Sequence, residues 1–207
     1  MNPVRLILGA TLTCLFAFCS SGQTQASPSP EQQLWVSRAK RFERAGWIYL
    51  HTEGEGRQRG FQHGYLLARE IAEGLRVTRA SWERQSGMEW PWLVARAVAM
   101  FVTNIDAENL SELDGIAEGA RAAGVNISRN DVIAYNGIIE LSDYWWPTEL
   151  RKMKDAPVTP TVRQSCSSFI ATGSHTKDGN VVLGHNTMQG YADALPRVIQ
   201  EIGRAHV

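Results

Sequence analysis

Cysteine is scarce in this chain. Three occur in 207 residues, and Cys14 and Cys19 both fall in an N-terminal stretch whose composition marks it for removal, which excludes a disulfide within the exported chain and leaves Cys166 alone. A membrane-spanning run is also lacking, because the apolar stretch from Leu6 to Phe18 falls short of the roughly 20 residues a bilayer needs. Charge of one sign is absent. The 21 Lys and Arg balance 21 Asp and Glu, with no basic block, so there is no electrostatic footprint for a nucleic acid or an anionic membrane. No internal repeat or low-complexity tract occurs. No Gly-x-Ser-x-Gly elbow supports a serine hydrolase. His51, His63, His175 and His185 lack metal-ligand spacing, so neither a metal nor another cofactor is expected.

What is present begins with an export signal. Arg5, the apolar run and the polar exit at Thr24-Gln25-Ala26 predict a signal peptide over residues 1–26, with a secreted or periplasmic product. A competing reading makes Cys19 the lipid-bearing first residue of a lipoprotein, tethered through Ser20-Ser21-Gly22. In the first reading Cys166 is an unpaired thiol in an oxidising compartment, which points to chemistry or to an intermolecular bridge. The whole chain is 43% hydrophobic, and what remains after the signal is a globular unit of one domain's size.

The chain changes texture near Ala156. Before it, after a Ser/Pro linker at 27–30 and a short strand at 47–50, the patterns are helical. One helix is predicted over 62–85 with Leu66, Leu67, Ile71 and Leu75 on one face. A second is predicted over 91–104, with Pro91 in its first turn. Asp106 caps a third that stops at Gly124. Ser128 and Asp131 form an approximate capping box for a fourth carrying Val132 and Ile133. Trp90, Trp92, Trp145 and Trp146 read as core or interface aromatics, with an acyl or lipid pocket as the alternative. After Pro157 and Pro160, two β-type runs follow, Ser168 to Thr172 and Val181 to Asn186.

Thr176-Lys177-Asp178-Gly179-Asn180 between these runs predicts a hairpin, with Cys166 at the outer end of its first strand, read as buried. Two registers are open. A two-residue turn at Asp178-Gly179 sets Tyr191 opposite Cys166, and a loop from Ser174 to Gly179 sets Thr187 there. In both, Cys166 shares a face with His185, Thr187, Gln189 and Tyr191 while Asn186 points away. Only the longer loop, or a bulge at Gly173, brings His185 to a diagonal contact with the thiol.

Cys166-Ser-Ser-Phe-Ile-Ala-Thr-Gly173, Thr176-Lys-Asp-Gly179 and Gly184-His-Asn-Thr187 together resemble the maturation site of N-terminal-nucleophile hydrolases. The nearest groups are the autoproteolytic acyltransferases that act on acyl-coenzyme A and 6-aminopenicillanic acid, and the phospholipase B-like proteins. His185-Asn186-Thr187, with Tyr191 and Arg197 downstream, is similar to the latter. Met188 stands where bile-salt-hydrolase-like relatives carry a carboxylate. Upstream, Arg59-Gly-Phe-Gln-His-Gly64 and Leu113-Asp-Gly-Ile-Ala-Glu-Gly119 are similar to the pro-region of this superfamily.

The resemblance implies an α+β protein, an αββα sandwich with a largely helical pro-segment over 27–165 and a catalytic part starting at 166. It implies self-cleavage between Ser165 and Cys166, with Cys166 as nucleophile, His185 near it, and Asn186, Thr187 and Tyr191 shaping the pocket. The expected activity is amide hydrolysis or acyl transfer through a Cys166 thioester on a small-molecule substrate, with the two cleaved chains remaining associated. The alternatives are a phospholipase B-like lipid deacylase using the same thiol and a noncatalytic exported binding domain. A sandwich needs two stacked sheets, and few residues follow Cys166, so the chain is expected to be a truncated precursor whose catalytic part covers only 166–200. Glu201-Ile-Gly-Arg-Ala-His-Val207 is similar to the peptide encoded by a sequencing-library adapter, so 201–207 is expected to be a non-native tail.

Overall fold

A computed structural model describes residues 27–154, 166–186 and 198–203. The expected signal peptide over 1–26, the Pro157 and Pro160 breakers, Ser165, Thr187, Met188, Tyr191, Arg197 and His206 lie outside the described residues. The described residues form a mixed α+β structure: helices carry the main core, and the strands form one three-stranded sheet and one separate hairpin.

The chain enters through α1 (Pro30–Arg38). Ser29 and Gln32 close a reciprocal capping box, and Pro30 occupies the first turn, where its missing N–H costs nothing. Ser29 and Pro30, at the end of the expected Ser/Pro linker, therefore start a helix. β1 (Lys40–Arg44) and β2 (Trp47–Glu53) then form an antiparallel hairpin whose two-residue turn holds Ala45 and Gly46 at positive φ. Phe42 stacks on its cross-strand partner Tyr49, ring centroids 5.0 Å apart.

The predicted 62–85 helix is two helices, α2 (Gly56–Leu66) and α3 (Ala68–Ser86), separated at Leu67, whose backbone leaves the helical region. The break lets α2 lie along α5 (Ala107–Ala122) in backbone contact. A methyl group on Gly60 would strike the carbonyl oxygen of Glu112, and one on Gly64 that of Ile116; Gly115 and Gly119 meet α2 in the same way. The Asp106 cap of α5 is present, accepting from the Asn109 N–H at 2.9 Å.

α4 (Trp90–Phe101), a short 3₁₀ turn (Val102–Asn104), α6 (Arg129–Asn136), a π-helical segment (Glu140–Trp145) and α7 (Trp146–Met153) complete the helical body. Asp131 organises this end: it closes the capping box with Ser128, accepts from Trp90 Nε1 at 2.8 Å and pairs with Arg79 at 2.8 Å. Burial opposes its charge, but the bonds from Ser128 and Trp90 together with the nearby Arg79 outweigh that and hold its carboxyl below the ordinary value. Trp82, Trp92, Trp145 and Trp146 pack with ring centroids 5.5–6.3 Å apart. Trp82, Trp90 and Trp146 are core residues. No helix among the described residues is long and apolar enough to cross a membrane.

β3 (Ser167–Gly173) and β4 (Gly179–Asn186) form the second hairpin. β5 (Val198–Gly203) returns to the first sheet and lies parallel to β2, giving the order β1-β2-β5. Glu201, Ile202 and Gly203, the start of the expected non-native tail, are paired residues of this strand.

Candidate functional site

The geometry around Cys166 is set by the β3–β4 turn. Gly173 and Gly179 both take positive φ, Thr176 bonds back to the Gly173 carbonyl, and Asp178 accepts from the backbone and side chain of Asn180. Those two bonds from Asn180 hold the exposed Asp178 carboxyl below its ordinary value. The loop therefore runs from Ser174 to Asp178, and the tight Asp178-Gly179 turn is not formed. An irregularity between Ala171 and Gly173 absorbs the extra residue.

The register that follows is Ser167↔Asn186, Ser168↔His185, Phe169↔Gly184 and Ile170↔Leu183. It is the longer-loop alternative. Cys166 stands one residue outside the first pair, so His185 occupies the diagonal position on its face, at about 7–8 Å in a regular ladder. Asn186, expected to shape the same pocket, belongs to the opposite face by the two-residue period. Ser165, Thr187 and Tyr191 lie outside the described residues.

The buried strand expected at Cys166 is corrected. Cys166 is exposed and unpaired, and both faces of the hairpin are open, with Ile170 at 68%, Leu183 at 66% and Phe169 at 61% exposure. Phe169 lies over Gly184, which provides some cover on one face. The physical reason is that, among the described residues, the two strands have no second layer to pack against.

The two upstream motifs that carried the resemblance meet each other, since Arg59–Gly64 lies on α2 and Leu113–Gly119 on α5. Gly60, Gly64, Gly115 and Gly119 are the contact. Arg59 donates to Glu108 at 3.0 Å, Glu112 at 2.8 Å and the Gly54 carbonyl at 2.8 Å. Burial opposes the Arg59 charge, but the two carboxylates more than offset it and raise its pKa. Gln62 is fully buried with three bonds made: it donates to the carbonyls of Trp35 and Glu53 and accepts from the Glu53 N–H. This is a satisfied structural hub.

His63 lies on α2, where burial pushes its imidazole below the ordinary value while the Glu112 charge and a hydrogen bond with Gln200 act the other way. Sequence reasoning left its partner unread, because Gln200 is distant in the chain. A groove of about 640 Å³, lined by Arg57, Leu110, Ser111, Asp114, Glu118 and Arg121 among others, contains no hairpin residue. Among the described residues no three His, Cys, Asp or Glu side chains are grouped as metal ligands.

An uncharacterized protein of Archaeoglobus fulgidus is 27% identical over 153 residues, covering 69% of this chain and 25% of its own length. The chain thus spans about a quarter of that relative. No family model matches the sequence. No solved structure matches it.

Proposed function

We propose that this sequence belongs to an exported, autoproteolytic N-terminal-cysteine amidohydrolase or acyltransferase built on an N-terminal-nucleophile sandwich, with Cys166 as its nucleophile. The observation that carries the reading is the hairpin register, which sets His185 diagonal to Cys166 at the outer end of β3. Exposure of the thiol agrees with access for water and substrate.

The maturation step balances without a cofactor. The Cys166 sulfur attacks the Ser165 carbonyl carbon, the peptide C–N bond breaks, and its nitrogen takes up a proton to become the Cys166 α-amine. Water then hydrolyses the resulting thioester, which leaves Ser165 as a carboxylate and Cys166 with a thiol and a new amine. That amine, with an ordinary pKa of about 7.7–8.0, accepts the thiol proton near neutrality and so makes nucleophile and base one residue. In turnover the thiolate attacks a substrate carbonyl, expels the amine leaving group with that proton, and passes the acyl group to water or another amine. Small-molecule amides or lipids are the substrate class.

Electrophoresis of the protein, expressed from the complete reading frame that encodes this sequence, tests the proposal. Wild type is expected as two fragments and Cys166→Ala as one. An intact wild type, or equal cleavage in both, removes the basis for a self-cleaving Cys166.

A further inference from the structure

We infer that β5 is the latch holding the part of the chain after position 166 to the helical body, with Gln200 keyed to Thr52. Residues 27–154 and 166–203 are on opposite sides of the 155–165 segment, so the pairing of β2 with β5 bridges them. β1 occupies one edge of β2, and β5 occupies the other through Ile48↔Val198, Tyr49↔Ile199 and Leu50↔Gln200. These three pairs precede position 201, and the strand continues with Glu201, Ile202 and Gly203 paired to His51, Thr52 and Glu53.

The side chains give this edge its specificity. Leu50 and Thr52 point inward and are buried, and the two-residue period puts Val198 and Gln200 on the same inward face, both partly covered. Gln200 Nε2 donates to Thr52 Oγ1 at 3.4 Å. Losing Gln200 takes a partner from the buried Thr52 hydroxyl, which costs more than losing an exposed bond. Ile199 points outward and is 42% exposed, so it contributes backbone pairing but little packing.

The role of this latch in life rests on the self-cleavage proposed above; its geometry does not. Any cut within 155–165 creates two chains that β5 keeps together, and the hairpin bearing Cys166 is covalently tied to β5.

The test separates the two ideas by removing self-cleavage. In the full reading frame carrying Cys166→Ala, a site for a sequence-specific protease is placed within 155–165, the protein is cut, and the fragments are followed by size-exclusion chromatography in increasing urea. Without urea they are expected to co-elute. Gln200→Ala is expected to weaken their association roughly fivefold, the value of about one net hydrogen bond. Thr52→Val, which keeps the shape and removes the acceptor, is expected to act in the same direction, and Ile199→Ala to change it less than twofold. Fragments that part without urea, or Gln200→Ala and Thr52→Val variants no weaker than Ile199→Ala, overturn the latch whatever Cys166 does.

Discussion

At the scale of single residues, the ionisation of His63 is tied to folding. Its folded pKa is depressed by burial, so the folded state binds fewer protons than the unfolded state as pH falls below the ordinary histidine value of about 6.5. Its contribution to stability is therefore present above that value and is lost as pH falls through the folded pKa. Urea midpoints measured from pH 7.5 down to pH 5 should fall for the wild type and fall less steeply for His63→Gln. Parallel curves would assign the acid sensitivity to other groups. Cys166 is the opposite kind of residue: its exposure comes from the open hairpin around it, and its proposed chemistry depends on neighbours that the register supplies.

At the scale of elements, the contact between α2 and α5 is the most demanding. Gly60→Ala is expected to destabilise the protein by about 3 kcal/mol, because the new methyl group meets backbone of α5 that cannot swing aside. Gly87→Ala is the matched control. It follows α3 in open space at φ +72°, so it is expected to cost only about 1 kcal/mol of backbone strain. Thermal unfolding of the two variants decides this; equal losses would mean that α2 and α5 are not in backbone contact.

Local signals made some elements legible. Ser128 with Asp131 and Asp106 with its α5 stripe marked real helix starts, since a capping side chain acts on residues three positions away. The same signal joins Ser29 to Gln32, at the end of the Ser/Pro stretch 27–30 whose composition predicts a linker. β1 was hidden by four charged residues in Lys40–Arg44, with only Phe42 and the Ala45-Gly46 turn to betray it. The α2/α3 break at Leu67 has no Gly or Pro marker; it follows from the docking of α2 on α5, a tertiary effect. The four-residue spacing of Gly56, Gly60 and Gly64 and of Gly115 and Gly119 was the available clue to that docking. At the candidate site, face parity was readable from the strands, whereas the choice of register needed the Gly173 irregularity.

At the scale of the whole molecule, residues 27–154 form a core around the tryptophans and the α2–α5 contact, residues 198–203 add one strand beside β2, and residues 167–186 form a separate hairpin. The first part is a supported scaffold, and the hairpin carries the proposed nucleophile. The chain spans about a quarter of the length of its archaeal relative, and the activity of Cys166 is a proposal for the whole protein. The most direct measurement is N-terminal identification, by mass spectrometry, of the fragments of that protein after purification without added protease. The account predicts a fragment beginning Cys166-Ser167-Ser168 with an unblocked amine, absent from Cys166→Ala; a wild-type chain still continuous through Ser165-Cys166, or one cut elsewhere, would contradict it.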